Sequence, residues 1–161
     1  MKWLLYWNII DWSGKIQTSF GYRVFWNWKW NQELYPGLDQ IIKQLEMQGI
    51  QVTAYINPHL NEEGDIFAEA DSLGYLLKNK MNQTLRQDFG EFLGGTIDFS
   101  NPLAKRWYTE LVKTNIIDLG FKGFMADFGE YMPVDVTPFN PNIDPYEFHN
   151  QLPVEWASTV R

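Results

Sequence analysis

The chain has 161 residues, of which 45 % are hydrophobic and 20 % charged, a composition typical of one globular domain with a real core. Its formal net charge of −7 argues against nucleic acid or an anionic membrane as the main partner, because both favour surfaces rich in Lys and Arg. There is no cysteine, which excludes disulfides and thiolate metal sites. Aromatic residues reach 17 %, and such a surplus often lines concave binding sites as well as cores.

The N-terminal residues do not predict a signal peptide. Lys2 precedes an apolar run, but the tryptophans in that run, the early Asp11 and the lack of a small-residue cleavage site disfavour one. No run approaches the ~20 apolar residues of a membrane span. We expect a cytoplasmic location and leave the oligomeric state open.

Strands and helices alternate along the chain. Apolar or β-branched runs predict strands over residues 3–10, 50–58, 95–102 and 122–128. Helical spacing of apolar residues predicts helices over residues 35–49, 63–75, 103–119 and 149–161. Between them lie a polar segment compatible with a hairpin (75–94) and a Pro-rich loop (133–145).

Four alternations of strand and helix predict a parallel α/β fold within one domain, residues 1–161. Four βα units are about half of a ~250-residue (β/α)8 barrel, although a small open sheet fits as well. The predicted strands end at Asp11, Asn57, Asp98 and Asp127. In parallel folds the chemistry gathers at the carboxyl ends of strands, so these side chains are candidates for a site.

Asp127 and Glu130 lie three positions apart in FKGFMADFGEYMP, residues 121–133. A carboxylate beside apolar residues costs free energy unless a partner or a function compensates. Asp127, close to Gly129 at a strand end, is suited to act as a nucleophile or base. A capping or salt-bridged Asp at a βα turn is the structural alternative.

The aromatic segment 21–31, GYRVFWNWKWN, is the second candidate. Trp26, Trp28 and Trp30 share one face if the segment is extended, and Arg23 is close by. An Arg beside a flat aromatic surface suits an anionic, ring-shaped ligand. The alternative is an aromatic cluster that covers the sheet.

Nothing in the sequence indicates a metal or a cofactor. His59 and His149 are far apart and not in metal-ligand spacing, so we expect solvated or structural histidines. There is also no Gly-rich phosphate loop and no Ser nucleophile elbow.

Several stretches together resemble glycoside hydrolase family 31, in particular its sulfoquinovosidase-like branch. They cover nearly the whole chain in order: DWSGKIQTSFGYRVFWNWKWN, YP.L, YINPHL, FGEFLGGTIDFSNP, GFMADFGEYMPVD and HN..P..WA. The resemblance implies a (β/α)8 barrel that cleaves α-glycosides with retention, through a covalent glycosyl-enzyme. Its substrate would be a carbohydrate.

The resemblance also implies roles for individual residues. Asp127 matches the family nucleophile, and Glu130 matches a neighbouring Glu that orients or tunes it. Arg23 and Trp26 match an Arg and a Trp that grip the sulfonate of a sulfonated glucose, which suits a guanidinium fork and an indole N–H. The remaining residues expected in the substrate site are Asp11, Trp12, Asn57 and Asp98.

Two departures from the family pattern matter. The branch usually has Gln where this chain has Ile10, which cannot hydrogen-bond to a substrate. In addition, no motif matches the second carboxyl group that retaining hydrolysis needs about 5–5.5 Å from the nucleophile. We expect that group beyond Arg161, and therefore a partial barrel that is inactive alone. A non-catalytic carbohydrate-binding fragment and part of a neutral-sugar α-glucosidase are the alternatives.

Overall fold

The computed structural model describes residues 2–4 and 11–161. Its strands are β1 (Lys2–Leu4), β2 (Lys15–Thr18), β3 (Gly21–Val24), β4 (Ile50–Val52), β5 (Ala54–Ile56), β6 (His59–Asn61), β7 (Lys78–Asn79), β8 (Gln87–Asp88), β9 (Leu93–Thr96), β10 (Phe124–Ala126) and β11 (Val136–Thr137). Its helices are α1 (Leu38–Met47), α2 (Asp65–Ser72), α3 (Pro102–Val112) and α4 (Pro145–Thr159). A π-helical turn, Lys113–Ile117, follows α3. Residues 5–10 of the predicted strand 3–10, including Ile10, lie outside the described residues.

Parallel pairing organises the part of the fold that carries the candidate nucleophile. β1 pairs with β4, and β10 pairs with β5, in both cases in parallel. β4 and β5 are two parts of one extended segment interrupted at Thr53, and the Ala54 N–H donates across to the Gly123 carbonyl at 2.9 Å. This segment lies between β1 and β10, in agreement with the predicted α/β class.

The prediction of a parallel strand over residues 95–102 is wrong in direction and bounds. Its observed counterpart, β9, ends at Thr96 and runs antiparallel between β6 and β8. Two glycines allow this close packing, because a Cβ on Gly94 would lie 2.6 Å from the Leu60 carbonyl oxygen. A Cβ on Gly95 would meet the Phe67 ring at 2.9 Å. The described residues therefore do not contain the four parallel βα units that we predicted.

The helices follow the sequence signals with shifted ends. α4 begins at Pro145 and not at residue 149, because the Asp144 carboxylate caps the backbone N–H groups of Tyr146 and Glu147. The predicted Pro-rich loop is shorter as a result and includes β11. The predicted helix 103–119 divides into α3 and the π-helical turn.

Among the residues whose burial is described, 11–161, the buried apolar side chains form one contiguous cluster. Strand β5 is buried along its whole length, and α4 covers one side of the cluster with Phe148, Leu152 and Trp156. No helix in the described part of the chain has the length and apolarity needed to cross a membrane.

Candidate active site

Asp127 lies directly after β10, at the carboxyl end of the parallel pair. Its backbone N–H donates a 3.0 Å hydrogen bond to the Ile56 carbonyl, which extends the ladder to the aspartate. Its half-buried carboxylate accepts a 2.9 Å hydrogen bond at Oδ2 from the Tyr55 hydroxyl. Because Tyr55 is on the neighbouring strand β5, the sheet itself brings the two side chains together.

Burial raises the pKa of the Tyr55 phenol well above its ordinary value, and the hydrogen bond to Asp127 also acts in this direction. The hydroxyl therefore stays protonated at neutral pH and remains a donor to the carboxylate. A donor at fixed distance orients the carboxylate of Asp127.

Asn57, a predicted substrate residue, is fully buried behind Tyr55. Its Oδ1 accepts a 2.9 Å hydrogen bond from the His59 N–H, and its carbonyl accepts one of 2.7 Å from the Tyr108 hydroxyl. Its Nδ2 lies 3.5 Å from the Tyr55 hydroxyl oxygen. Asn57 is thus held in place by backbone and side-chain contacts, and its connection to Asp127 runs through Tyr55.

Arg23 and Trp26 line one cavity of about 310 Å³. Phe128, the residue after Asp127, lines the same cavity, so the cavity shares a wall with the strand end that carries the candidate nucleophile. The Arg23 Nη1 donates a 2.7 Å hydrogen bond to the Phe89 carbonyl. The other guanidinium N–H groups leave room for a ligand contact, since the group carries five donors.

Packing fixes the Trp26 ring. The indole is 8 % exposed, with ring centroids 4.9 Å from both Phe89 and Phe92 and 5.8 Å from Phe128. Arg23 is also held by an aromatic ring, since its guanidinium carbon lies 4.5 Å from the centroid of Phe20. The aromatic segment is therefore both a packed cluster and a cavity wall.

Glu130 forms no side-chain hydrogen bond with Asp127 in the described part of the chain. Its side chain is exposed, and the described hydrogen bonds and ion pairs do not join the two carboxylates. The supporting role predicted for Glu130 stays a prediction. The contact that the structure does show to Asp127 comes from Tyr55.

Asp98 lies in a different place from Arg23 and Trp26. Its Oδ2 accepts a 2.6 Å hydrogen bond from the Phe139 N–H, and its Oδ1 accepts bonds of 2.9 and 2.6 Å from the Ser100 N–H and hydroxyl. Burial raises its pKa. These contacts hold the loop before α4 against the end of β9, beside a separate cavity of about 480 Å³.

Asp11 and Trp12, which we also predicted in the substrate site, make contacts within the protein. Asp11 forms a 3.0 Å ion pair with Lys15 and thereby raises the pKa of the lysine. Trp12 is fully buried and donates from its indole nitrogen to the Tyr55 carbonyl at 3.2 Å. It therefore anchors the backbone of β5. The substrate contacts predicted for both stay predictions.

Tyr55 and His59 contact residues of this site but were not among the predicted site residues. The signal for Tyr55 was available, because Tyr55 and Asn57 alternate on a predicted strand and so share a face. His59 had no comparable signal in the sequence, because the residues that surround it come from distant parts of the chain.

The fold agrees with that of known proteins. The family model Glycosyl hydrolases family 31 TIM-barrel domain matches residues 5–161. The chain therefore belongs to this family. The match confirms the predicted family and the α/β barrel class, although not the predicted number of βα units.

Two sulfoquinovosidases are similar to this chain over most of its length. The Escherichia coli (strain K12) protein is 48 % identical over 147 residues, 91 % of this chain and 22 % of the relative. The Agrobacterium fabrum protein is 45 % identical over 148 residues, with the same coverage. The alpha-xylosidase XylQ of Lactiplantibacillus pentosus is 30 % identical over 132 residues, 82 % of this chain and 17 % of that protein. The chain thus spans about a fifth of the length of these relatives.

Solved structures of family 31 enzymes are also similar to this chain. A GH31 family sulfoquinovosidase from E. rectale, in complex with the aza-sugar inhibitor IFGSQ, superposes with a TM-score of 0.89 at 38 % identity. It covers 93 % of this chain, which in turn covers 22 % of it. A GH31 dextranase from Flavobacterium johnsoniae, complexed with glucose, has a TM-score of 0.73 at 20 % identity and covers 83 % of this chain and 18 % of its own. At that identity the dextranase supports the fold alone.

Proposed function

We propose that this chain forms part of the catalytic barrel of a retaining α-glycoside hydrolase, with Asp127 as the nucleophile. The observation that carries the proposal is the position of Asp127, which lies at the carboxyl end of β10 with its Oδ2 hydrogen-bonded to Tyr55. Phe128, the next residue along the chain, lines the cavity of Arg23 and Trp26. The similarity to proteins named sulfoquinovosidase and alpha-xylosidase supports an α-glycosidase.

In the first step a carboxylate oxygen of Asp127 attacks the anomeric carbon of the sugar. A C–O ester bond to Asp127 forms while the glycosidic C–O bond breaks, and the leaving oxygen takes up a proton. Tyr55 holds Oδ2, which orients the carboxylate and leaves Oδ1 for the attack. Water then attacks the same carbon and gives its proton to the group that acted as the acid, while the C–O bond to Asp127 breaks and the carboxylate is regenerated. Each displacement inverts the anomeric carbon, so the configuration is retained overall.

The proton donor is a separate group. In the described part of the chain no hydrogen bond or ion pair links Asp127 to a second carboxyl group. We place the general acid outside the residues that contact Asp127. Since general acid catalysis contributes roughly 10²–10⁴-fold, we expect the chain alone not to turn over an aryl α-glycoside.

A sulfonated glucoside is the substrate that the cavity favours. Arg23 offers a planar set of N–H donors that match a sulfonate, and Trp26 offers a rigid aromatic wall against the sugar. The two sulfoquinovosidases similar to this chain support the same substrate class.

A neutral α-glycoside is the second candidate, and two observations favour it. Asp88 lines the same cavity and brings a carboxylate close to the place where an anion would bind. Arg23 already uses one nitrogen for the Phe89 carbonyl. The relative named alpha-xylosidase is also compatible with a neutral sugar.

Covalent trapping tests the proposal in a reaction that needs no general acid. The chain is incubated with a fluorinated α-glycosyl fluoride, whose fluoride leaving group needs no proton, in a 6-sulfonated and a neutral 6-hydroxyl form. We expect one glycosyl adduct per chain by intact mass, located at Asp127 by peptide mapping. An adduct on another residue, or an undiminished adduct in Asp127→Asn, would contradict the nucleophile assignment.

The Arg23→Met variant tests whether the substrate is sulfonated or neutral. A charged hydrogen bond contributes about 1.5–3 kcal/mol, so Arg23→Met is expected to slow labelling by the sulfonated reagent by roughly 10–100-fold. Labelling by the neutral reagent is the internal control and should change little. Equal effects on both reagents, or faster wild-type labelling by the neutral one, would favour the neutral α-glycoside.

A further inference from the structure

The backbone directly after Asp127 adopts a costly conformation. Phe128 has φ 55°, in the left-handed region that non-glycine residues rarely adopt. Such a conformation costs about 1–2 kcal/mol and persists only where the surroundings hold it. Because Phe128 follows Asp127 directly, the conformation of this turn sets the path of the backbone as it leaves the strand at Asp127.

His59 is the side chain that holds this turn. The imidazole is fully buried, and its Nε2 lies 3.2 Å from the Phe128 carbonyl oxygen. On the opposite side its Nδ1 lies 2.8 Å from the hydroxyl of Thr96 on β9. Two rings confine the imidazole, with centroids at 5.6 Å for Trp26 and 4.5 Å for Phe89. The ring is thus fixed in position and orientation by contacts from four directions.

The contacts also determine where the imidazole proton lies. A backbone carbonyl only accepts, so Nε2 must carry the hydrogen of the bond to Phe128. The ring is neutral, because burial lowers the pKa of His59 to about 3. Nδ1 is then unprotonated and accepts from the Thr96 hydroxyl. Gln87 competes for the same hydroxyl, since its Oε1 lies 2.7 Å from the Thr96 oxygen.

We propose that His59 is a positioning residue for Asp127: its Nε2–H holds the Phe128 carbonyl in the left-handed turn and so fixes the orientation of the carboxylate. This inference rests on the proposed role of Asp127 as the nucleophile. It connects β6 with the end of β10 through one hydrogen bond. A histidine that only filled space in the core would affect stability and leave the reactivity of Asp127 unchanged.

Two variants of similar length separate these roles. In His59→Gln the side-chain amide reaches as far as Nε2 and still donates to the Phe128 carbonyl. In His59→Met the donor is lost, while the volume stays similar. The readout is labelling of Asp127 by the fluorinated glycosyl fluoride that wild type accepts faster, with the maximal rate and the half-saturating concentration measured separately.

We expect His59→Met to lower the maximal labelling rate at least tenfold, with the half-saturating concentration within about twofold of wild type. His59→Gln should keep the rate within about threefold of wild type. A rate in His59→Met equal to that of wild type overturns the proposal, and so does an equal loss in both variants. If His59→Met does not fold, His59→Asn replaces it, because its amide is too short to reach the carbonyl.

A measurement on the turn itself keeps the proposal distinct from the proposed function. Two-bond ¹H–¹⁵N spectra of wild type should show the Nε2–H tautomer of His59. The HN–Hα coupling and Cα shift of Phe128 should report a positive φ in wild type and His59→Gln, and a different conformation in His59→Met. The Nδ1–H tautomer, or an unchanged Phe128 in His59→Met, overturns the role of His59. A wild-type chain that is never labelled at Asp127 overturns the nucleophile assignment instead.

Discussion

The Tyr55 hydroxyl lies 2.9 Å from Oδ2 of Asp127, and this bond joins the two neighbouring parallel strands at their carboxyl ends. Tyr55 is itself confined, because the buried Trp12 donates to its carbonyl and its ring centroid lies 6.0 Å from that of Trp28. A donor held in this way does not need to reorganise when the charge on Asp127 changes during a reaction. We therefore expect that removing the Tyr55 hydroxyl directly lowers the reactivity of Asp127.

Tyr55→Phe is expected to slow covalent labelling of Asp127 by roughly 10–100-fold, because a hydrogen bond to a charged group contributes about 1.5–3 kcal/mol. The measurement is the labelling rate with the fluorinated glycosyl fluoride. The matched control is Tyr22→Phe, which removes the same hydroxyl from a side chain that is 73 % exposed. A Tyr55→Phe rate equal to that of Tyr22→Phe would show that the bond does not support the nucleophile.

Asp88→Asn tests the charge of the cavity. The Asp88 side chain lines the cavity with Arg23, and its Oδ1 accepts a 2.8 Å hydrogen bond from the Gly90 N–H. An amide oxygen preserves that bond while the negative charge is lost. For an anionic ligand we expect tighter binding by a factor of about two to five, in line with about 0.2–1 kcal/mol for exposed charge pairs. Calorimetry with a sulfonated and a neutral glucoside measures the effect.

The neutral glucoside is the control in that experiment, because it carries no charge for Asp88 to repel. The gain for the sulfonated ligand should also diminish at high salt, which screens exposed charges. An equal gain for both ligands would mean that Asp88→Asn acts through the shape of the cavity and not through its charge.

His59 predicts a pH dependence of stability. Its pKa in the folded chain is lowered by burial to about 3, from an ordinary value of 6.5. As the pH falls below 6.5, the unfolded chain takes up a proton that the folded chain takes up only near pH 3. The free energy of unfolding therefore declines through this window, by at most about 1.4 kcal/mol per pH unit from this group.

His59→Gln removes this contribution, since an amide does not titrate. Urea unfolding between pH 7 and 4 should give a shallower decline for His59→Gln than for wild type. Other groups titrate equally in both proteins: Asp65 acts in the same direction as His59, and Asp98, whose pKa is raised, acts in the opposite one. Parallel curves for the two proteins would contradict a buried neutral His59.

Gly129→Ala is expected to destabilise the chain by about 1–3 kcal/mol through overpacking. A Cβ at this position would lie 2.6 Å from Cδ1 of Trp156, a ring confined by Phe99 and Tyr108. The control is Gly123→Ala, whose Cβ would meet nothing closer than the Thr53 methyl at 3.7 Å. The free energy of unfolding in urea distinguishes them, and equal values would show that Trp156 can move away.

Local signals in the sequence predicted much of the fold. Gly49 and Gly120 stop helical segments, and Asn101–Pro102 begins α3 as a cap followed by a proline. The predicted parallel direction of the strand in residues 95–102 was wrong because a short apolar run does not reveal its pairing partner. Its direction depends on β6 and β8, which are distant in sequence, and on glycines that allow close packing.

The candidate site divides in the same way. The sequence by itself identified the family, Asp127 as the candidate nucleophile, and Arg23 and Trp26 as candidate substrate-binding residues. These identifications depend on residue types in a fixed order along the chain. Only the tertiary structure showed that Tyr55 contacts Asp127, that Asp98 contacts the loop before α4, and that His59 contacts Phe128. Those contacts join residues 41–72 positions apart, and their geometry follows from strand pairing and core packing, which no local pattern contains.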